Sequence, residues 1–192
     1  ENHAIFVDSK SNLWIGARGK GLTFINQADN KCELYNSKNI NLPDTTLTFI
    51  TDIKEDTKGN IWIATYGEGV IKYDPIKNMF SQLEFDDSKN NQIAKKGRIS
   101  EIAVDRDNNI WLGLFDHGLV KYNQDKRTLN TFGTSIAKKY QRETLTVRTL
   151  KYVNNTLWLG TNYLGLIAFD IKTNNIKSYS MDEKNIDIIT SA

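Results

Sequence analysis

Short apolar runs recur from end to end of the chain, each closed by a cluster of Asp, Asn, Gly or Pro. The order is clearest in the second quarter. Residues 49–55 mix apolar and polar side chains, 56–60 form an Asp-to-Asn turn, and 61–65 are apolar up to the closing Thr65. Residues 66–69 carry two glycines, 70–73 are apolar but for Lys72, 74–78 read Asp-Pro-Ile-Lys-Asn, and a fourth run lies around 79–85. Runs of this length, bounded by residues that supply a positive or preset φ, predict β-strands joined by hairpin turns. No stretch reads as a helix of useful length, so the predicted class is all-β.

The same order returns four times in phase. Trp14, Trp62, Trp111 and Trp158 stand 48, 49 and 47 residues apart, and 192 residues hold four such periods. Seven positions after each Trp comes a glycine (Gly21, Gly69, Gly118, Gly165), followed by Leu22, Val70, Leu119 or Leu166. Eleven positions after the Trp stand Ile25, Tyr73, Tyr122 and Phe169, and six before it stand Asp8, Asp56 and Asp105. The fourth copy lacks that Asp and is one residue shorter there. Four antiparallel strands per repeat, apolar on both faces, predict β-propeller blades that bury themselves only by packing on neighbours. The blades fall at about 1–45, 46–94, 95–142 and 143–192, with each Trp as a wedge between blades and the glycines at the turns. No out-of-phase terminal strand supplies a latch, so the repeats predict an arc of a larger ring. A self-closed ring and pairing with a second chain are the alternatives. The chain starts within a first strand and ends, at 186–192, just short of where the next would begin.

Residues 56–74 resemble the two-component regulator propeller repeat, whose pattern is D-x-x-G-N-[IL]-W-[IL]-G-T-x-x-x-G-[LV]-x-x-[YF]-[DN]. Residues 105–123 and 155–170 are similar; 8–26 carries Ser11 in the turn-glycine column and Ile25 in the aromatic one, and Ala64 is a further departure. The resemblance implies the periplasmic sensor region of a bacterial hybrid two-component receptor that detects oligosaccharides. In that family an immunoglobulin-like domain, a membrane helix, a histidine kinase and a regulator follow the blades. It implies no cofactor and no catalysis by this segment.

The turns between second and third strands differ where the scaffold repeats, which is how a binding face is built on a rigid frame. Tyr66, Phe115 and Tyr163 on these tips are candidates to stack on sugar rings. Arg18, Lys20, Glu68, Asp116, His117 and Asn162 are candidates to bond hydroxyls or acidic groups. The basic clusters Lys95-Lys96-Gly97-Arg98 and 138–142 in the long connections are candidates to select an anionic glycan. The Trp side chains read as packing, the Asp column as caps of its own turns, and Cys32 as filler. Residues 16–21 imitate a phosphate loop, but no Ser or Thr follows Lys20 and no helix follows the turn. His117 has no placed partner for general-base work.

Charge and composition narrow the classes further. With 25 Lys+Arg against 23 Asp+Glu the net charge is +2, which carries no nucleic-acid footprint. No run approaches the roughly 20 apolar residues of a membrane span, and the start, Glu1-Asn2-His3, shows no basic-then-apolar leader. One Cys and two His cannot build a disulfide framework or a zinc cluster, so no metal is expected. Three function classes stay open: a ligand-sensing segment of a receptor, a propeller lyase or hydrolase, and a protein-interaction scaffold. Catalysis needs a clustered acid and base on the inner strands, which offer Asp52, Glu55, Glu101 and Arg148 in no repeating arrangement.

Overall fold

The computed structural model describes residues 2–36, 38–40, 42, 47–83, 85 and 88–179; the end of the chain from residue 180 lies outside them. Four sheets of four antiparallel strands follow one another along the chain. The first holds β1 (Asn2–Val7), β2 (Leu13–Ala17), β3 (Gly21–Ile25) and β4 (Cys32–Tyr35). The second holds β5 (Ile50–Glu55), β6 (Ile61–Thr65), β7 (Val70–Asp74) and β8 (Met79–Gln82). The third holds β9 (Ile99–Val104), β10 (Ile110–Leu114), β11 (Gly118–Asn123) and β12 (Thr128–Thr131), and the fourth β13 (Val147–Val153), β14 (Thr156–Thr161), β15 (Leu166–Asp170) and β16 (Ile176–Tyr179). Spatial order equals sequence order in every sheet, the up-and-down arrangement of a propeller blade. The innermost strands line up blade to blade, β1 beside β5, β5 beside β9 and β9 beside β13.

Two short helices depart from the all-strand expectation: α1 (Ser88–Lys96) and α2 (Gly133–Lys139) fill the connections after the second and third blades. Each buries only a pair of adjacent apolar residues, Ile93 with Ala94 and Ile136 with Ala137, so no helical period shows in the sequence. Lys95, Lys96, Lys138 and Lys139, expected as loop clusters, occupy the last turns of these helices, where cations offset the C-terminal end of the helix dipole. The helices buttress the tip turns. Gly97 O beyond α1 accepts from the backbone N–H of both Gly67 and Gly69. A side chain at Gly69 is excluded twice over, by its φ of +71° and by the Ala94 carbonyl oxygen, 1.8 Å from where a Cβ would stand.

Apolar packing runs between sheets. One cluster joins the first two blades through Trp14, Leu22, Ile53, Ile63 and Ile71; a second joins blades two and three around Trp62, Val70, Ile102 and Leu112. A third joins blades three and four around Trp111, Leu119, Leu150 and Leu159. Trp14, Trp62 and Trp111 each face the blade that follows their own. Trp14, Trp62 and Trp111 donate their indole N–H to the carboxylates of Asp8, Asp56 and Asp105 at 3.0, 2.9 and 2.8 Å. The same carboxylates accept from the Asn that ends the turn, Asn12, Asn60 or Asn109. The Asp column therefore caps its turn and also satisfies the wedge. Asp56 is nearly enclosed; burial pushes its carboxyl up, but the bonds from Trp62, Asn60 and Lys58 outweigh this and hold it below the usual carboxylate range.

Polar clamps cross the same interfaces near the inner strands. Asp52 accepts the backbone N–H of Ile102 in the next blade at 2.9 Å, and Glu101, one blade on, accepts that of Leu150. The Ser9 backbone and hydroxyl both donate to Glu55. Burial, followed by the nearby Asp52 charge, raises the Glu101 carboxyl above its ordinary value, against the opposing Leu150 bond.

Among the described residues no apolar cluster joins the fourth blade to the first. The outer face of blade one exposes Ile5 at 68%, whereas its counterpart Ile53 is at 1%. On blade four Leu166 is exposed at 40%, against 0% for Leu119, and Trp158 is only half-buried.

Gly69→Ala is expected to cost at least about 2 kcal/mol in urea unfolding, since strain and the carbonyl clash add. Asp56→Ala should cost about 3 kcal/mol by leaving the Trp62 and Asn60 donors buried without an acceptor. Because the folded carboxyl of Asp56 is depressed, its contribution is full above the unfolded value of 3.8 and is lost as pH falls through the folded one. Asp56→Asn should therefore flatten the acid limb of the stability profile. Glu101 runs the other way: its raised folded value makes its contribution fall as pH rises from 4.5. Glu101→Gln, which keeps an acceptor for Leu150, should gain stability relative to the parent at pH 7.5 but not at pH 4, measured by denaturant melts.

Candidate functional site

The tip turns and the connections entering β5, β9 and β13 open on one face, where they border a cleft of about 950 Å³. Blade two contributes Phe49, Thr51 and Tyr66, blade three Arg98, Ser100, Phe115 and Asp116, and blade four, with the connection leading into it, Thr144, Thr146, Arg148 and Asn162. The repeat explains how residues so distant in sequence meet. Arg18, Tyr66, Phe115 and Asn162 all lie four positions after their Trp, and the first three tip turns reach the strand entry of the next blade. The Arg18 guanidinium lies 5.0 Å from the Phe49 ring centroid, and Arg98 lies 5.4 Å from that of Tyr66. Thr146 donates its hydroxyl to the Phe115 carbonyl at 2.8 Å.

Aromatic rings form a continuous row along the cleft. Phe49 and Tyr66 centroids are 5.3 Å apart, as are those of Tyr66 and Phe115, the latter edge-on. Arginines cover the row: Arg148 lies 4.9 Å from the Phe115 centroid, and Arg98 also donates to the Tyr66 hydroxyl at 3.0 Å. The rings expected to stack on sugars are thus already engaged by each other and by guanidinium groups, and Tyr163, exposed on its tip, lies outside the cleft.

Two of the arginines differ in charge balance. Arg98 grips Asp116 with a two-pronged ion pair, one arm at 2.7 Å. That pairing holds the Asp116 carboxyl below its ordinary value and the Arg98 guanidinium above its own. Arg148 instead donates to the Asn162 side-chain oxygen at 2.6 Å, and no carboxylate within ion-pair range of it exists among the described residues.

Of the residues singled out in the sequence, Tyr66, Phe115, Asp116 and Asn162 line the cleft. Arg18 sits at its margin over Phe49, and Lys20 projects into solvent. Glu68 turns away, accepting the Leu47 backbone N–H at 2.9 Å. His117 borders a separate cavity of about 70 Å³ with Gly133 and Glu143. Sequence reasoning missed Phe49, Thr51, Ser100, Thr144 and Thr146, and placed neither Arg98 nor Arg148 at the tips. The Trp phase could have found the strand-entry residues, because position 51 recurs at 100 and, allowing for the short fourth copy, at 148. The inner-strand acids Asp52, Glu55 and Glu101 are occupied as interblade clamps. No group of three or more His, Cys, Asp or Glu side chains is placed to hold a metal among the described residues. No helix there is long and apolar enough to cross a membrane.

Residues 46–67 match the family model described as two component regulator propeller. No curated protein matches the chain. The fold is similar to the extracellular domain of a protein described as a hybrid two component system from B. thetaiotaomicron, at 21% identity and a TM-score of 0.71 over 96% of this chain. A second such extracellular domain from the same organism gives 16% identity and a TM-score of 0.73 over 94%. The chain spans 24% of the length of each. Virginiamycin B lyase from Staphylococcus aureus is similar at 12% identity and a TM-score of 0.66, over 94% of this chain and 55% of the enzyme. The chain is thus a run of β-propeller blades, and the match to the two component regulator propeller model falls at the second.

Proposed function

We propose that this chain is a segment of the extracytoplasmic, periplasmic sensor region of a two component signalling receptor, and that its cleft takes a saccharide without transforming it. The observation that carries the reading is the cleft itself. Positions that the scaffold leaves free to vary, on three successive blades, converge on one face with hydroxyl, amide and guanidinium groups around an open space. The repeat in blade two and the likeness to extracellular domains of hybrid two component systems support the signalling context. The histidine kinase of such a receptor belongs to other parts of the polypeptide.

The uncovered faces of blades one and four then receive adjacent propeller blades, since their counterparts at the three internal interfaces are covered in that way. A ligand spanning blades would change signalling only through different affinities for two arrangements of those blades. The lyase likeness favours the competing, enzymatic reading at the level of fold. Among the described residues lining the cleft, however, the one carboxylate, Asp116, is paired with Arg98, and a general base would have to be freed from that pair.

Calorimetric titration of the chain with a panel of oligosaccharides, followed by chromatography of the same mixtures, tests this. Binding of at least one saccharide in the micromolar to millimolar range, with the sugar recovered unchanged, is expected. Turnover would overturn the non-enzymatic reading, and no binding by the folded chain would overturn the saccharide cleft.

A further inference from the structure

Arg148 departs from the short hydroxyls that hold its place in the two preceding blades. Bulges enter the pairing of the first and second strands at the same place in all four blades, so His3, Thr51, Ser100 and Arg148 occupy equivalent positions one residue into β1, β5, β9 and β13. In two of these blades the side chain serves the scaffold. Thr51 donates to the Ile99 carbonyl at 2.8 Å, and Ser100 to the Gly113 carbonyl at 2.9 Å. In the fourth blade a long cation replaces the short hydroxyl, and it donates to no backbone carbonyl. It lies over Phe115 and is steered by Asn162 into the cleft.

Among the described residues that line the cleft, the charges then leave one cation over. Arg98 and Asp116 cancel as a close pair, whereas Arg148 faces a ring and a neutral amide. A guanidinium held against an aromatic face and bonded at Nε presents its remaining N–H groups as a fork suited to the paired oxygens of an oxyanion. The hydroxyl and amide groups beside it suit the other substituents of a sugar. Lys138 and Lys139 do not share this role, since they end α2, and the Lys139 ammonium donates to the Ile176 carbonyl.

Resting on the saccharide reading above, we infer that the cleft selects glycans bearing an oxyanion, a carboxylate or a sulfate ester, and that Arg148 is the residue that binds this group.

The test titrates the chain with a trimer of galacturonic acid and with a sulfated disaccharide, each against its neutral counterpart, the methyl ester and the unsulfated sugar. The parent, Arg148→Gln, Arg148→Lys and Lys138→Gln are compared at low salt and at about 0.3 M NaCl, with melting temperatures recorded for all. The parent should bind one acidic probe roughly tenfold or more tighter than its neutral partner, a preference that weakens with salt. Arg148→Gln should remove the preference, Arg148→Lys should restore part of it, and both should melt with the parent because the side chain is exposed. Lys138→Gln should leave the preference intact. The arm that responds, carboxylate or sulfate, identifies the oxyanion. Equal binding of acidic and neutral probes, unchanged in Arg148→Gln, overturns this inference while sparing the saccharide cleft. An equal loss in Lys138→Gln assigns the preference to overall charge and overturns it too. No binding of any probe overturns both.

Discussion

The structure depends on the contact of one blade's Trp with the blade that follows. A four-stranded sheet with apolar side chains on both faces gains little from folding alone, because neither face leaves water until a second sheet covers it. Trp14, Trp62 and Trp111 supply the largest buried surface at the three interfaces. An indole brings a polar N–H with it, and a buried donor without an acceptor would take back much of that gain. The Asp six residues earlier resolves the conflict. Its two oxygens already hold the hairpin turn through the Asn and backbone N–H groups, and the second oxygen is aimed at the indole. Turn, wedge and interface are therefore a single hydrogen-bonded unit, repeated three times.

The fourth repeat shows what happens when that unit is relaxed. Its turn is a residue shorter, Asn154 and Asn155 take positive φ, and the position six residues before Trp158 is not Asp. Trp158 lies on the uncovered face, packed against Tyr179 and half in contact with water, where its N–H needs no protein acceptor. The loss of the Asp and the loss of cover go together, as expected if the Asp is required by burial of the wedge and not by the hairpin alone.

Most of the fold was legible because it is periodic. A spacing near 48 residues fixes the strand phase four times over, and turn residues mark the strand ends closely enough that β6 was placed to the residue. The two helices were not legible, for a physical reason: with one apolar pair each, they are held by contact with the tip turns and not by an amphipathic stripe. Their basic last turns imitate a solvated loop. The candidate site was half legible. Tips were recognisable as variable positions, but the cleft is built from tips and strand entries of different blades, such as Tyr66 beside Arg98 and Phe115 beside Arg148. Contacts across 32 or 33 residues follow from the stacking of blades and leave no local signal.

Repetition also gives a way to separate scaffold from chemistry without any other sequence. Where equivalent positions hold the same residue and make the same bond, as with the Trp–Asp pairs, the residue is explained by folding. Where the residue and its partner change but a backbone bond is still made, as with Thr51 to Ile99 of the next blade and Ser100 to Gly113 of its own, folding still suffices. Arg148 makes no bond to a backbone carbonyl at all. It places a solvated cation at the edge of the inner strand, where a short hydroxyl serves the sheet in the two preceding blades, and contributes no interblade backbone bond in return. Burial cannot account for it, because it is exposed, and ion pairing cannot, because Arg98 already takes Asp116. What remains is the space in front of it.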